Sequence, residues 1–235
     1  MIAIWKRELL SYLKSPVGYV YLFLYLLISG SVFNVFNLQS GGSSDVTYYF
    51  FFNCYTLILA IPLLTMKLFP EERKNKTDQI LMTAPVSITG MVMGKFMAAY
   101  SLFVASLVPS IGAVLFLHFN GYVQPGIVIG SVVALLLMGA AYIAVAMLMA
   151  CITESQIIAF MGGFFVLLLL NICSMINDVI DNEIVNKFID ALAITSRYET
   201  LAQGLFDFTA IIYFLSIALI SIFLIVRVID KRRWS

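Results

Sequence analysis

Six apolar stretches, each long enough to cross a bilayer as a helix, dominate this sequence and constrain its fold. Crossing about 30 Å of hydrocarbon takes about 20 apolar residues in a helix. The stretches are continuous rather than alternating, which favours helices over barrel strands. The sequence therefore predicts an all-α integral membrane protein, a single transmembrane domain of residues 1–235 with six transmembrane helices. These comprise residues 17–36, 46–68, 91–118, 126–151, 156–176 and 208–228.

The composition excludes a soluble or a disordered chain. Of the 235 residues, 62% are hydrophobic and 11% are charged, whereas soluble domains average about 45–50% apolar and about 25% charged residues. Disorder requires low hydrophobicity together with high net charge, and the net charge here is +1. The first apolar stretch exceeds the length of a signal-peptide core and lacks a small-residue cleavage site, so we interpret it as a retained span.

Lysines and arginines are concentrated in alternate connecting segments. All but two of the 14 lie in the N-terminal segment, in the segment 67–95 or in the C-terminal tail; the exceptions, Lys187 and Arg197, lie in the segment 177–207. Cytoplasmic loops of membrane proteins carry the excess of lysine and arginine. We therefore predict an N-in, C-in topology, with 67–95 in the cytoplasm and 177–207 on the outer side.

Two segments outside the stretches have the apolar spacing of amphipathic helices. Residues 1–15 predict an interfacial helix on the cytoplasmic surface that ends at Ser15, because the residue before a proline is disfavoured in a helix. Residues 177–207 predict one or two short outer helices, with an ordinary solvated loop as the alternative. The apolar face of the first segment consists of Ile2, Trp5, Leu9, Leu10 and Leu13. The tyrosines typical of an interfacial aromatic belt include Tyr19, Tyr21 and Tyr25.

Patterns typical of catalysis and of metal binding are missing from the sequence. His118 is the only histidine and the three cysteines have no CxxC spacing, which disfavours zinc sites and Ser/His dyads. In the run 90–96 the glycines are too close for a phosphate loop, and Phe96 stands where Ser or Thr would hold magnesium. We interpret the span interiors as uncharged, with Lys95 assigned to the preceding cytoplasmic segment, which disfavours carboxylate-coupled antiport. Neither an enzyme, nor a cofactor site, nor a nucleic-acid partner is expected.

The segment 70–87 combines charged residues with a small apolar patch. Glu71 and Glu72 favour a helix N-terminus at this point, and the apolar patch of residues 80–82 could fill a pocket on a soluble partner. Pro85 would end the helix. The residues alone favour a helix-bearing cytoplasmic loop and leave open whether it is also a partner site.

This segment resembles one in the ABC-2 type permease family of ATP-binding cassette transporters. In that family an acidic and basic run, followed by Thr, an acid and a Leu-Leu/Met-Thr-x-Pro-like run, connects spans two and three. Other pieces resemble the smaller branch that includes the gliding-motility and nitrous-oxide-reductase-maturation permeases, and the similarity covers nearly the whole chain in order. These pieces are residues 6–9, 15–19, 94–96, 198–207 and 231–234.

The resemblance implies an export permease of a bacterial inner (plasma) membrane, with a coupling helix at about 71–83 that docks in a groove of a separate ABC ATPase subunit. That subunit would be present in two copies and would bind ATP and magnesium, so this chain would hold no cofactor itself. A second permease copy or a homologous permease would complete the membrane pathway in the lipid bilayer. A non-transporting scaffold or assembly factor is the alternative. The residues expected to contact the ATPase are Trp5, Lys6, Arg7, Glu71, Glu72, Arg73, Thr77, Asp78, Ile80, Leu81, Met82 and Thr83.

Overall fold

The computed structural model of the protein describes residues 1–39, 46–77, 87–120, 123–176, 194–204 and 207–233. Over these residues the chain forms helices and no strands. In chain order they are α1 (Ile2–Lys14), α2 (Pro16–Phe33), the π-helix π1 (Asn34–Leu38), α3 (Thr47–Thr65), α4 (Pro70–Lys74), α5 (Ile88–Asn120), α6 (Pro125–Ile152), α7 (Gln156–Ile176), α8 (Ile194–Ala202) and α9 (Phe208–Arg233).

Five of the helices in the described ranges are long and apolar enough to cross a membrane: α2 with π1, α3, α5, α6 and α9. Helix α7 is also apolar, but its described apolar part is shorter, at Gln156–Ile172. Each helix coincides with one of the predicted apolar stretches. The prediction of an all-α, multi-pass membrane protein is confirmed.

Helix α6 is the central helix of the bundle and packs against α3, α5, α7, α8 and α9. Its buried positions include many small side chains, which allow neighbouring helices to approach closely. At Gly139 a Cβ atom would lie 2.2 Å from the ring of Phe103 on α5, so the two helices meet where only glycine fits. Helix α2 is peripheral by contrast: 17% of the residues in its most apolar window are buried, against 61% for α6.

Short helices contact the long helices at both ends of the bundle. At one end, α1 contacts the last turn of α3, where the Tyr12 hydroxyl donates to the Leu64 carbonyl at 2.8 Å. At the other end, α8 covers the first turns of α3 and α6, where the Tyr198 hydroxyl donates to the Phe50 carbonyl at 3.0 Å. A Cβ atom at Gly130 of α6 would lie 2.3 Å from the backbone oxygen of Leu201. The bundle therefore carries α1 and α4 at one end and α8 at the other.

Helix α1 ends at Ser15, as predicted, and the chain turns sharply into α2. Ser15 has an extended backbone (φ −104°, ψ 149°), and Pro16 occupies the first position of α2. A Cβ atom at Gly18 would lie 2.3 Å from the Tyr12 carbonyl oxygen, so this close turn requires glycine. The face of α1 that packs on the protein consists of Ile4, Glu8 and Tyr12, which the apolar spacing did not indicate.

The prediction that Tyr21 and Tyr25 belong to an interfacial belt is wrong. Both side chains are fully buried between helices, whereas Tyr19 is 60% exposed. The hydroxyl of Tyr21 bonds with Ser106 of α5 at 2.9 Å, and that of Tyr25 lies 3.4 Å from Ser110. Hydroxyl pairs of this kind join α2 to α5, because a buried hydroxyl in an apolar bundle requires a partner.

Two predicted segments are described only in part. In the segment 70–87 the described helix is α4, followed by turns up to residue 77 in which Lys76 has a positive φ of 56°; residues 78–86 lie outside the described ranges. In the segment 177–207 the described helix is α8, and residues 177–193 lie outside.

Candidate functional site

Helix α4 lies at the end of the bundle that carries α1, and it begins directly after the turn that ends α3. Pro70 occupies its first position, where no backbone donor is needed. Glu71 and Glu72 stand in its first turn, and Arg73 and Lys74 in its last, the order that complements the dipole of a helix. Glu72 is turned towards α1 and α5, and Arg73 towards the end of α6.

A network of four charged side chains joins α1, α4 and α5. The Lys95 ammonium of α5 lies 2.8 Å from Glu72 Oε2 and 3.2 Å from Glu8 Oε1, and it donates to the Leu68 carbonyl at 2.7 Å. The Arg7 guanidinium lies 2.6 Å from Glu72 Oε1 and also bonds Glu8. Two cations and two carboxylates on three separate helices therefore form one connected network.

The charged groups of this network are largely removed from water. The Lys95 side chain is fully buried, and those of Glu8 and Glu72 are 11% and 16% exposed. Burial by itself would raise the pKa of Glu8, but the charges of Lys95 and Arg7 outweigh it and hold that pKa below its ordinary value of 4.5. Burial would likewise lower the pKa of Arg7, but its bonds to Glu8 and Glu72 raise it. Glu8 and Arg7 are therefore charged at neutral pH.

The interpretation of Lys95 as a cytoplasmic loop residue is wrong. It lies inside α5, and its ammonium is turned towards α1 and α4 rather than towards water. The cost of a buried cation is offset here by two carboxylates and a carbonyl. Position alone could have drawn attention to it, because Lys95 lies within the apolar stretch 91–118 and a charge in such a stretch indicates a paired group.

The central helix α6 is held at the same end by two arginines. Arg73 of α4 donates to the carbonyl of Thr153 at 3.1 Å and also to that of Cys151. Arg232, near the end of α9, donates to the Ile152 carbonyl at 3.1 Å. The last carbonyls of a helix have no partner within it and carry partial negative charge, so both arginines cap α6. The sequence-based predictions used Arg232 as a charge of the C-terminal tail and as part of the piece 231–234, but assigned it no contact.

A polar groove of about 260 Å³ opens between α1 and α4. Its wall includes the carboxylates of Glu8, Glu71 and Glu72, and Lys67 closes one side by donating to the Ser11 hydroxyl at 2.9 Å. The groove continues to Asn75 and Thr77, where the chain enters the residues that the structure does not describe. Arg7, Glu8 and Glu72 of the charged network are therefore accessible from the bundle end at which α4 lies.

The residues predicted to contact a partner have different surroundings. Arg7, Glu72 and Arg73 belong to the bonds described above. Glu71 lies 3.6 Å from Lys67, and Thr77 bonds the backbone of Glu72. Lys6 is exposed. Trp5 donates from Nε1 to Ser101 of α5 at 3.0 Å, which anchors α1 on the bundle. Asp78, Ile80, Leu81, Met82 and Thr83 lie outside the described ranges.

A second polar cluster lies inside the bundle, near α8. The Asn171 amide of α7 donates to the Tyr142 hydroxyl of α6 at 2.6 Å, and the Thr195 hydroxyl of α8 donates to the Asn171 side-chain oxygen at 3.3 Å. All three residues are buried. The cluster joins three helices and contains no charged group, which is typical of helix packing in membranes.

Among the described residues, no group of three or more His, Cys, Asp or Glu side chains could hold a metal ion. Compared with known proteins, the chain matches no family model and no curated protein. The apolar helices define a multi-pass membrane protein with a charged cluster at one end of its bundle.

Proposed function

We propose that this protein is the permease subunit of an ABC-2 type transporter, an exporter driven by ATP that a separate subunit hydrolyses. In this proposal α2, α3, α5, α6, α7 and α9 are the six spans, α1 is the interfacial helix, and α4 begins the coupling segment. The membrane is a bacterial inner membrane, and two ATPase copies act on this chain and on a second permease.

The distribution of charge supports the topology. Every described lysine and arginine except Arg197 lies at the bundle end that carries α1 and α4. Because such residues accumulate on the cytoplasmic side, this end faces the cytoplasm, with both termini. The segment 70–87 then lies where a soluble ATPase could reach it, and α8 lies on the outer surface.

The observation that carries the proposal is the bonding of α4. Through Glu72 and Arg73, this five-residue helix is joined to three others: α1, α5 and the C-terminus of α6. A load applied to the segment that follows α4 is therefore delivered to these three helices together. Such bonding suits a coupling element, whereas a simple connecting loop does not require it.

The test replaces the apolar patch of the coupling segment. The variant Ile80→Asp/Leu81→Asp/Met82→Asp is compared with wild type after affinity purification from source membranes in mild detergent. Vanadate-sensitive ATP hydrolysis and the protein composition of the eluate are measured. We expect an ATPase subunit to accompany the wild type and to be lost from the variant, because aspartates cannot fill an apolar pocket.

A matched control carries three aspartates on the opposite side of the membrane, at Ile184, Phe188 and Leu192. It should retain the ATPase, since that segment is expected to be extracytoplasmic. If both triple variants retain the same ATP hydrolysis as the wild type, the docking of the coupling segment is contradicted. A purified wild-type complex without any ATP hydrolysis would instead favour the scaffold alternative.

A further inference from the structure

Helix α1 has an outward face on the side opposite Glu8, the residue that faces the bundle. Its apolar side chains are largely exposed: Ile2 at 68%, Leu10 at 52% and Leu13 at 47%. Lys6 lies among them on the same face and Lys14 lies at its edge, and both lysines are exposed as well. A face that combines exposed apolar side chains with lysines is typical of a helix that lies in a membrane interface.

The outward face carries positive charge without negative charge. Every residue of α1 is described, and its one acidic residue, Glu8, is turned inwards to Lys95 and is 8% exposed. Arg7, beside it, keeps half of its side chain exposed. The inward pairing of Glu8 therefore leaves the lysines of the outward face without a carboxylate from α1 itself.

The position of α1 places this face at the level of lipid headgroups. Ile4 packs against Gly94 of α5, and Trp5 bonds Ser101, so α1 lies beside the second to fourth turns of that helix. Helix α5 has 33 residues, about 50 Å at 1.5 Å per residue, which exceeds the hydrocarbon thickness of about 30 Å. Part of α5 therefore extends beyond the hydrocarbon, and the first candidate membrane span begins directly after α1, at Pro16.

We propose that the outward face of α1 is a binding surface for anionic phospholipids. The acyl chains contact Ile2, Leu10 and Leu13, and the headgroups pair with Lys6 and Lys14. These lysines are eight residues apart, about 12 Å along the helix, so each can bind a separate headgroup. Zwitterionic lipids would fill the same apolar face but would gain little from the lysines. This surface does not depend on the transporter assignment.

The experiment uses the full-length chain in lipid nanodiscs and reads lipid contact through Trp5. The sequence has two tryptophans, so Trp234→Phe leaves Trp5 as the single reporter beside the lysines. Brominated phosphatidylglycerol or brominated phosphatidylcholine is added at equal fractions to a phosphatidylcholine background, and the quenching of Trp5 is compared. We expect phosphatidylglycerol to associate with α1 about fivefold more strongly per lysine, and we expect 1 M NaCl to reduce this preference, since the Debye length falls to about 3 Å.

Two double variants separate this surface from general attraction to a basic protein end. Lys6→Gln/Lys14→Gln should abolish the preference, whereas Lys74→Gln/Lys76→Gln, with the same charge change on exposed residues of the α4 region, should keep it. Equal quenching of the wild type by both brominated lipids would overturn the proposal. Equal loss of preference in both double variants would also overturn it, because the lipid would then respond to net charge and not to α1.

Discussion

Replacement of Lys95 by methionine is the sharpest test of the charged network. Methionine has a similar length and suits an apolar helix, so the change removes the ammonium with little change of shape. It leaves the carboxylates of Glu8 and Glu72 buried, each without one of its two cations. Arg7 remains beside both carboxylates and compensates part of the loss.

The expected cost follows from burial. Removing one partner of a buried ion pair destabilises a protein by about 3–5 kcal/mol, because the other charge is left uncompensated. Because Arg7 remains, we expect a loss near 3 kcal/mol for Lys95→Met. For a chain of this size about 1 kcal/mol corresponds to 2–4 °C, so the melting temperature should fall by about 6–12 °C.

The assay is thermal unfolding of the purified protein in mild detergent, followed by tryptophan fluorescence or by the loss of the monodisperse peak. Lys74→Met is the matched control: it is the same chemical change at an exposed position of α4, where about 0.5 kcal/mol or less is expected. Lys95→Arg keeps the charge and should lose less than Lys95→Met. Equal melting temperatures for Lys95→Met and Lys74→Met would refute the reasoning.

Three further changes follow from individual contacts. The lowered pKa of Glu8 contributes stability above pH 4.5 that is lost as the pH falls through the folded pKa, so the melting temperature should fall more steeply on acidification in wild type than in Glu8→Gln. Gly130→Ala places a Cβ atom 2.3 Å from the Leu201 oxygen and should cost about 1–3 kcal/mol in unfolding experiments, whereas Gly112→Ala, with open space around it, should cost nothing. Tyr142→Phe removes the hydroxyl that accepts the α7 amide and should lower stability by about 1 kcal/mol; an unchanged melting temperature would contradict this.

The helices could be predicted because the information for each is local. An apolar stretch of about 20 residues can satisfy its backbone in a bilayer only as a helix, and each predicted stretch coincides with a helix of the structure. The end of α1 at Ser15 follows from Pro16 in the same local way. Helix positions therefore required no knowledge of which helix packs against which.

The partners of polar side chains could not be predicted, because they depend on contacts between distant residues. Lys95 and Glu8 are 87 positions apart and meet only because α1 folds back onto α5. Tyr21 has the composition of a belt residue, but its hydroxyl is bonded inside the bundle by Ser106. The spacing of Ile4, Glu8 and Tyr12, one residue on each successive turn, was a usable signal, since an acid on such a row requires a buried partner.

The contacts of α6 determine where motion of α4 would go. At one end its last carbonyls are bonded by Arg73 of α4 and Arg232 of α9, and at the other its second turn is in contact with α8 at Gly130. Close-packed helices transmit displacement because their interiors have little free volume. A shift of α4 therefore requires either a break of the Arg73 cap or a movement of α6 that α8 must follow.

Because the cap has two donors from different elements, loss of Arg73 alone leaves α6 attached to α9 through Arg232. In Arg73→Gln, a shift of α4 should then no longer move α8, while the bundle remains folded. Spin labels on α4 and α8 report the movement of each helix. If α8 still moves with α4 in this variant, the motion follows another route.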